Sequence, residues 1–152
     1  MKVFKTILLG GLLVLTLSAN NNPRVTPESL FKSSIKASEE RERKDRIIKA
    51  IAKVESEYNP LAYNKKEDAR GILQIRKIMV KEINLYTPYN LSHKDCWDSI
   101  VSIEAFTAYQ DQFNPDWEPE KAAKLWNGGR SGENKPQTQQ YWERVKEVLE
   151  AI

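Results

Sequence analysis

The sequence has few of the residues that build metal centres and disulfide frameworks. Among 152 residues there is one cysteine, Cys96, and one histidine, His93. A single thiol excludes an internal disulfide framework, and one thiol with one imidazole cannot supply the usual nitrogen and sulfur ligands of a zinc site. We therefore expect no metal and no cofactor, and we expect Cys96 to be a small packed residue.

Glycine and proline are also scarce, with six and seven residues respectively. This excludes collagen-like and low-complexity chains, and an apolar content of 40% is too high for a wholly disordered one. Neither glycine grouping is followed by the lysine and hydroxyl residue of a phosphate-binding loop. The length fits one globular domain.

The longest apolar run lies at the N-terminus. Lys2 and Lys5 precede apolar and small residues over 6–17, a run of about twelve, whereas a membrane-spanning helix needs about twenty. The pattern is typical of a secretory signal peptide, with a cut after Ala19 or, alternatively, after Ser18. We predict a signal peptide over 1–19, secretion into the periplasm or beyond, and no stable membrane span after cleavage.

The remaining chain has no excess of positive charge. Of the 24 Lys and Arg residues, two lie within 1–19, which leaves 22 basic residues against 21 acidic ones. The basic residues are interleaved with glutamate, whereas a dedicated nucleic-acid binder has a concentrated basic face. We therefore expect no nucleic-acid partner.

Hydrophobic periodicity predicts a mainly α domain over 41–152, preceded by a polar spacer over 20–40. Residues 20–38 are rich in Asn, Ser, Pro and Thr and show no period. No later segment alternates as a strand does. Apolar spacing and end signals indicate helices over 39–58, from about 76 to 84, over 98–113, from Pro119 through Trp126, and near the C-terminus from Tyr141 to Ile152.

Glu55 falls on the apolar stripe of the first predicted helix. Ile48, Ile51, Ala52 and Glu55 follow the i, i+3, i+4, i+7 rule. Desolvation disfavours an ionised carboxylate and raises its pKa, and a glutamic acid with a raised pKa is a suitable general acid for glycoside cleavage. Alternatively, Glu55 bonds neighbouring backbone groups or pairs with Arg70.

Three further positions have both a structural and a functional interpretation. Gln74 interrupts the apolar stretch 72–75 and is either a cleft residue or a buried amide that satisfies loop backbone groups. Trp126 has helical spacing from Ala122 and Ala123, which favours a core position over a sugar platform. The glycine pair 128–129 is, taken alone, a helix stop.

Four motifs in order give these residues a common context. The sequence resembles the lytic transglycosylase domain of the soluble lytic transglycosylase type over about residues 47–148. That family has a Glu-Ser pair at a helix end, then Asn-Pro, a Gly-Ala-any-Gly-Leu-Met-Gln-Ile stretch and a Tyr-Asn-Ala-Gly stretch. The matching residues here are Glu55-Ser56, Asn59-Pro60, Ala69 to Ile75 and Trp126-Asn127-Gly128-Gly129.

The resemblance implies a lysozyme-like helical fold with a substrate cleft, acting on peptidoglycan glycan strands. It implies cleavage between N-acetylmuramic acid and N-acetylglucosamine, with formation of a 1,6-anhydro ring. Glu55 matches the single catalytic acid. Ser56, Gln74, Trp126 and Asn127 match substrate-binding positions, Trp126 standing where the family usually has tyrosine.

Two other functions stay open at this point. Asp68 replaces the usual glycine of the third motif, and a second carboxylate there is consistent with a hydrolytic goose-type lysozyme. A noncatalytic peptidoglycan-binding or assembly module is the other alternative. Because the catalytic unit is minimal, we also expect that it can serve a larger machine that spans the cell envelope, with the spacer as a tether.

Overall fold

The computed structural model describes residues 26–152, so the predicted signal peptide and the start of the spacer lie outside the described residues. The described chain is mainly α-helical, as predicted. Its helices are α1 (Pro27–Ser56), α2 (Lys77–Tyr86), α3 (Ser99–Phe113), α4 (Pro119–Gly128) and α5 (Gln137–Ala151), and two short 3-10 helices span His93–Trp97 and Gly132–Asn134. No helix within 26–152 is long and apolar enough to cross a membrane.

Helix α1 begins at Pro27, twelve residues before the predicted start at Glu39. Thr26 and Ser29 form a reciprocal capping box at this end, which satisfies free backbone N–H groups. Residues 27–43 are exposed all round, so this stretch has no apolar stripe from which a helix could be predicted. The predicted helix start at Glu39 was therefore wrong, while the spacer over 20–40 and its tethering role stay predictions.

The second half of α1 packs against α4 and α5 and contributes Ile47, Ala50, Ile51 and Ala52 to the core. Aromatic rings fill the space between α3 and α4. The ring centroids of Phe106 and Trp126 lie 4.8 Å apart in an edge-on arrangement. Cys96 is fully buried and its thiol is free, which confirms its role as a packed residue.

A small hairpin follows α1. The helix ends at Ser56, and the next two residues have positive φ angles. Strands β1 (Tyr63–Asn64) and β2 (Ala69–Arg70) then pair antiparallel. The sequence did not predict them because strands of two residues are too short to show alternation.

Gly71, directly after β2, is required by close packing. Its φ angle is +74°, and a Cβ atom there would lie 1.9 Å from the backbone oxygen of Cys96. The Gly71 N–H donates to the Ala62 oxygen across 2.9 Å. These contacts fix the loop that leads to Gln74.

Candidate active site

An open cleft of about 720 Å³ runs between the end of α1, the hairpin, α2, the end of α4 and α5. Its walls include both apolar and charged side chains. Of the predicted site residues, Glu55, Gln74, Trp126 and Asn127 border it, and Ser56 does not. The fold therefore brings together four of five predicted positions.

Glu55 is half-buried in the last turn of α1 and faces this cleft. Its Oε1 accepts a hydrogen bond of 2.7 Å from the Tyr141 hydroxyl. Burial raises the pKa of Glu55 from 4.5 to about 7, although the Tyr141 hydrogen bond and the positive charges of Arg76 and Arg144 act in the opposite direction. A raised pKa had been predicted from the apolar stripe.

The alternative pairing of Glu55 with Arg70 is wrong. Arg70 instead binds Asp68, whose Oδ1 lies 3.2 Å from Nε and 3.1 Å from Nη2. Lys77 holds the other carboxylate oxygen at 2.8 Å. Hydrogen bonds from Lys77 and Arg70 lower the pKa of Asp68 to about 2. Asp68 is thus an anchor of the hairpin that is ionised at neutral pH, and it lies outside the cleft lining.

Tyr141 is the main functional residue that sequence reasoning missed. It was predicted only as part of the apolar stripe of the last helix. It is buried on α5, and burial together with the neighbouring Glu55 raises its pKa well above the ordinary value. The hydroxyl therefore stays protonated and serves as a donor. The signal available in the sequence was the hydroxyl group of Tyr141 on an otherwise apolar stripe.

Ser56 does not contact the cleft. Its hydroxyl donates to the Ile72 oxygen at 2.7 Å and to the Ala52 oxygen at 3.2 Å. It therefore joins the end of α1 to the loop that carries Gln74. The predicted substrate-binding role of Ser56 is corrected to a positioning role, because its proton is used inside the protein.

Gln74 is both a residue that borders the cleft and an amide that satisfies loop backbone groups. Its Nε2 donates to the backbone oxygens of Ala62 and Gly71, at 3.0 and 2.9 Å. Its Oε1 accepts no hydrogen bond from the described residues, and the side chain borders the cleft. The amide therefore has a free acceptor and no free donor within the described chain.

Trp126 lies at the floor of the cleft but is a core residue. Its side chain is only 4% exposed, and its indole N–H donates to the Leu73 oxygen at 3.1 Å. The favoured core position is therefore confirmed and the substrate-binding role is corrected, because the ring is almost fully buried and packs edge-on against Phe106 and Tyr109. Its neighbour Asn127 is half-buried and borders the cleft.

Sequence reasoning also missed five charged residues that line the cleft, which are Glu67, Arg76, Glu82, Lys135 and Arg144. Arg76 donates to the Asn127 backbone oxygen at 3.0 Å and lies 3.7 Å from Glu67. Glu82 on α2 accepts a 2.6 Å hydrogen bond from the buried Tyr109 hydroxyl.

Within 26–152 no group of three His, Cys, Asp or Glu side chains is placed to hold a metal ion.

A mainly helical domain with a glutamic acid of raised pKa at an open cleft has the character of a lysozyme-like domain. Residues 32–149 match the family Transglycosylase SLT domain, which is most of the chain. The protein belongs to this family, as its four motifs predicted. No curated protein and no solved structure matches the chain significantly.

Proposed function

We propose that this protein is a secreted lytic transglycosylase that cleaves the bond between N-acetylmuramic acid and N-acetylglucosamine, with Glu55 as its single acid and base. The observation that carries the proposal is the environment of Glu55. Its pKa of about 7 leaves a large protonated fraction near neutral pH, and this is the condition under which one group both gives and takes a proton efficiently.

In the first step Glu55 protonates the glycosidic oxygen, and the bond to the anomeric carbon breaks. Tyr141 holds Oε1, and Oε2 has no hydrogen bond from the described residues. Oε2 is therefore the oxygen that carries the proton into the cleft. The acetamido group of the sugar stabilises the positive anomeric centre.

In the second step the ionised Glu55 takes the proton of the muramic acid 6-hydroxyl, and that oxygen bonds to the anomeric carbon. The product is a 1,6-anhydro ring, and Glu55 is protonated again. The Tyr141 hydrogen bond favours the ionised carboxylate and so stabilises the state between the two steps. Because the nucleophile belongs to the substrate, a paired carboxylate of the kind used by common glycosidases is not required.

Gln74 and Asn127 are the proposed substrate contacts. The free Oε1 of Gln74 accepts from an N–H or hydroxyl of the glycan, since its two donor hydrogens are already used. The Asn127 side chain forms no hydrogen bond within the described chain and offers both a donor and an acceptor.

The contacts of Asp68 argue against the goose-type hydrolytic alternative. A carboxylate that positions water must face the reacting sugar, whereas both Asp68 oxygens are bound to Arg70 and Lys77. The noncatalytic alternative leaves a desolvated acid without a purpose, since a pure binding site has no need for a proton donor.

The test is digestion of purified peptidoglycan followed by mass spectrometry of the released sugar ends. We expect anhydromuramic ends, each lighter by one water than a reducing end, and we expect them to disappear with Glu55→Gln. Reducing ends would show a hydrolase. Unchanged cleavage by the variant would remove Glu55 from its assigned role.

A further inference from the structure

One wall of the cleft carries two cations that form no ion pair within residues 26–152, although the charge of Arg144 acts on Glu55. Lys135 and Arg144 both border the cleft, and neither forms an ion pair with another described residue. The opposite wall differs, because there Arg76 is balanced by Glu67 at 3.7 Å. The two unpaired cations of the cleft therefore lie on the side of α5, whereas Glu82, a lining carboxylate that also forms no ion pair in the described chain, lies on α2.

Arg144 lies beside the reacting position. It follows Tyr141 by three residues on α5, which places both side chains on one face of the helix. Its guanidinium carbon lies 5.4 Å from the centre of the Tyr141 ring, and the hydroxyl of that ring holds Glu55 at 2.7 Å. Arg144 is exposed, so it is oriented by the ring while its donors remain free for a ligand.

Lys135 extends the positive wall toward a second lobe. Its ammonium group donates to the backbone oxygen of Gly128, which holds it at the junction of the main cleft and a neighbouring cavity of about 370 Å³. Arg130 borders that lobe, with its guanidinium 4.1 Å from the centre of the Tyr86 ring. The cations thus continue past the main cleft, into an open depression that Glu82 also borders.

A glycan backbone of N-acetylated sugars is neutral, so it offers these cations hydrogen-bond acceptors but no opposite charge. The muramic acid unit differs, since its lactyl ether ends in a carboxylate or in a stem peptide that has carboxylates of its own. We propose that Arg144 and Lys135 determine specificity by binding a carboxylate of this lactyl or peptide substituent. This inference rests on the proposed function and names the part of the substrate that the α5 wall selects.

The experiment compares Arg144→Gln and the double variant with Lys135→Gln against Lys49→Gln, a matched control on an exposed part of α1 outside the cleft. Three soluble ligands are used: glycan strands with stem peptides, the same strands after amidase treatment, and a neutral N-acetylglucosamine oligomer. KM and kcat are measured on the first two at low and high salt. Binding of all three is measured in the Glu55→Gln background.

We expect Arg144→Gln to raise KM and weaken binding about three- to tenfold for carboxylate-bearing strands, as for a charge-assisted hydrogen bond at a partly exposed site. The binding of the neutral oligomer and the values of Lys49→Gln should not change, and added salt should remove the difference. An effect confined to peptide-bearing strands assigns the stem peptide. An equal effect after amidase treatment assigns the lactyl carboxylate.

Equal loss for all three ligands, or no loss beyond that of Lys49→Gln, would overturn the inference. Its failure is separable from failure of the proposed function. Absence of cleavage by the unaltered protein would refute the activity, while charge-dependent binding in the Glu55→Gln background would still support the role of the α5 wall.

Discussion

Glu55→Gln is expected to change how the stability of the fold depends on pH. The substitution keeps the size and hydrogen-bonding capacity of the side chain and removes its titration. In the folded protein burial raises the pKa of this carboxyl from 4.5 to about 7. One pKa unit corresponds to about 1.4 kcal/mol, so ionisation of Glu55 costs the folded state about 3 kcal/mol.

The sign of the effect follows from proton binding. Below pH 4.5 Glu55 is protonated in both the folded and the unfolded chain, and its ionisation costs nothing. Between pH 4.5 and 7 the folded state binds more protons than the unfolded state, so the free energy of unfolding falls as pH rises. Above pH 7 the full free-energy cost of ionising Glu55 is present in the unaltered protein. The variant with glutamine has no such cost.

The assay is urea unfolding of both proteins at several pH values from 4 to 8. All other titrating groups are shared, so the difference between the two proteins isolates Glu55. We expect the variant to gain about 3 kcal/mol relative to the unaltered protein between pH 4 and pH 8. A difference that does not change with pH would mean that Glu55 is not desolvated and lacks the raised pKa of a catalytic acid.

Three other substitutions test separate parts of the structure. Tyr141→Phe removes the hydrogen bond that lowers the pKa of Glu55. The alkaline limb of the pH–activity profile should therefore move to higher pH, and kcat should fall about tenfold or more. An alkaline limb that does not move would contradict the hydrogen bond between Tyr141 and Glu55. Gly71→Ala should prevent stable folding, as seen by circular dichroism, because the added Cβ would lie 1.9 Å from a backbone oxygen; a melting temperature within a few degrees of the unaltered protein would refute this. Trp126→Phe leaves the buried carbonyl of Leu73 without its donor. The free energy of unfolding should therefore fall by about 1–3 kcal/mol, with little change in KM. A large rise in KM at unchanged stability would instead indicate a sugar-binding role for Trp126.

The position of Glu55 was predictable because burial follows helical periodicity. Ile51, Ala52 and Glu55 share one face of α1, and a side chain on that face must approach the domain interior. Its partner was not predictable in the same way. Tyr141 is 86 residues distant along the chain, and only the packing of α1 against α5 brings them together.

The residues beside the acid show what motif matching leaves undecided. Ser56 and Trp126 occupy positions that match the family, yet both use their polar atoms to bind backbone oxygens of the loop 71–75. A motif records that a residue is required and does not distinguish contact with the ligand from support of a loop. Gln74 has both functions in one amide.

The continuous helix α1 sets a fixed distance within the protein. Glu55 is near its end, and at 1.5 Å per residue the start at Pro27 lies roughly 40 Å away. A flexible tether would let the Glu55 carboxyl group sample a wide volume around any attachment point. A capped helix instead holds this group at one distance from its N-terminal end and in one orientation. An anchor at the N-terminal end of α1 would therefore also determine which layer of a surrounding polymer the cleft can reach.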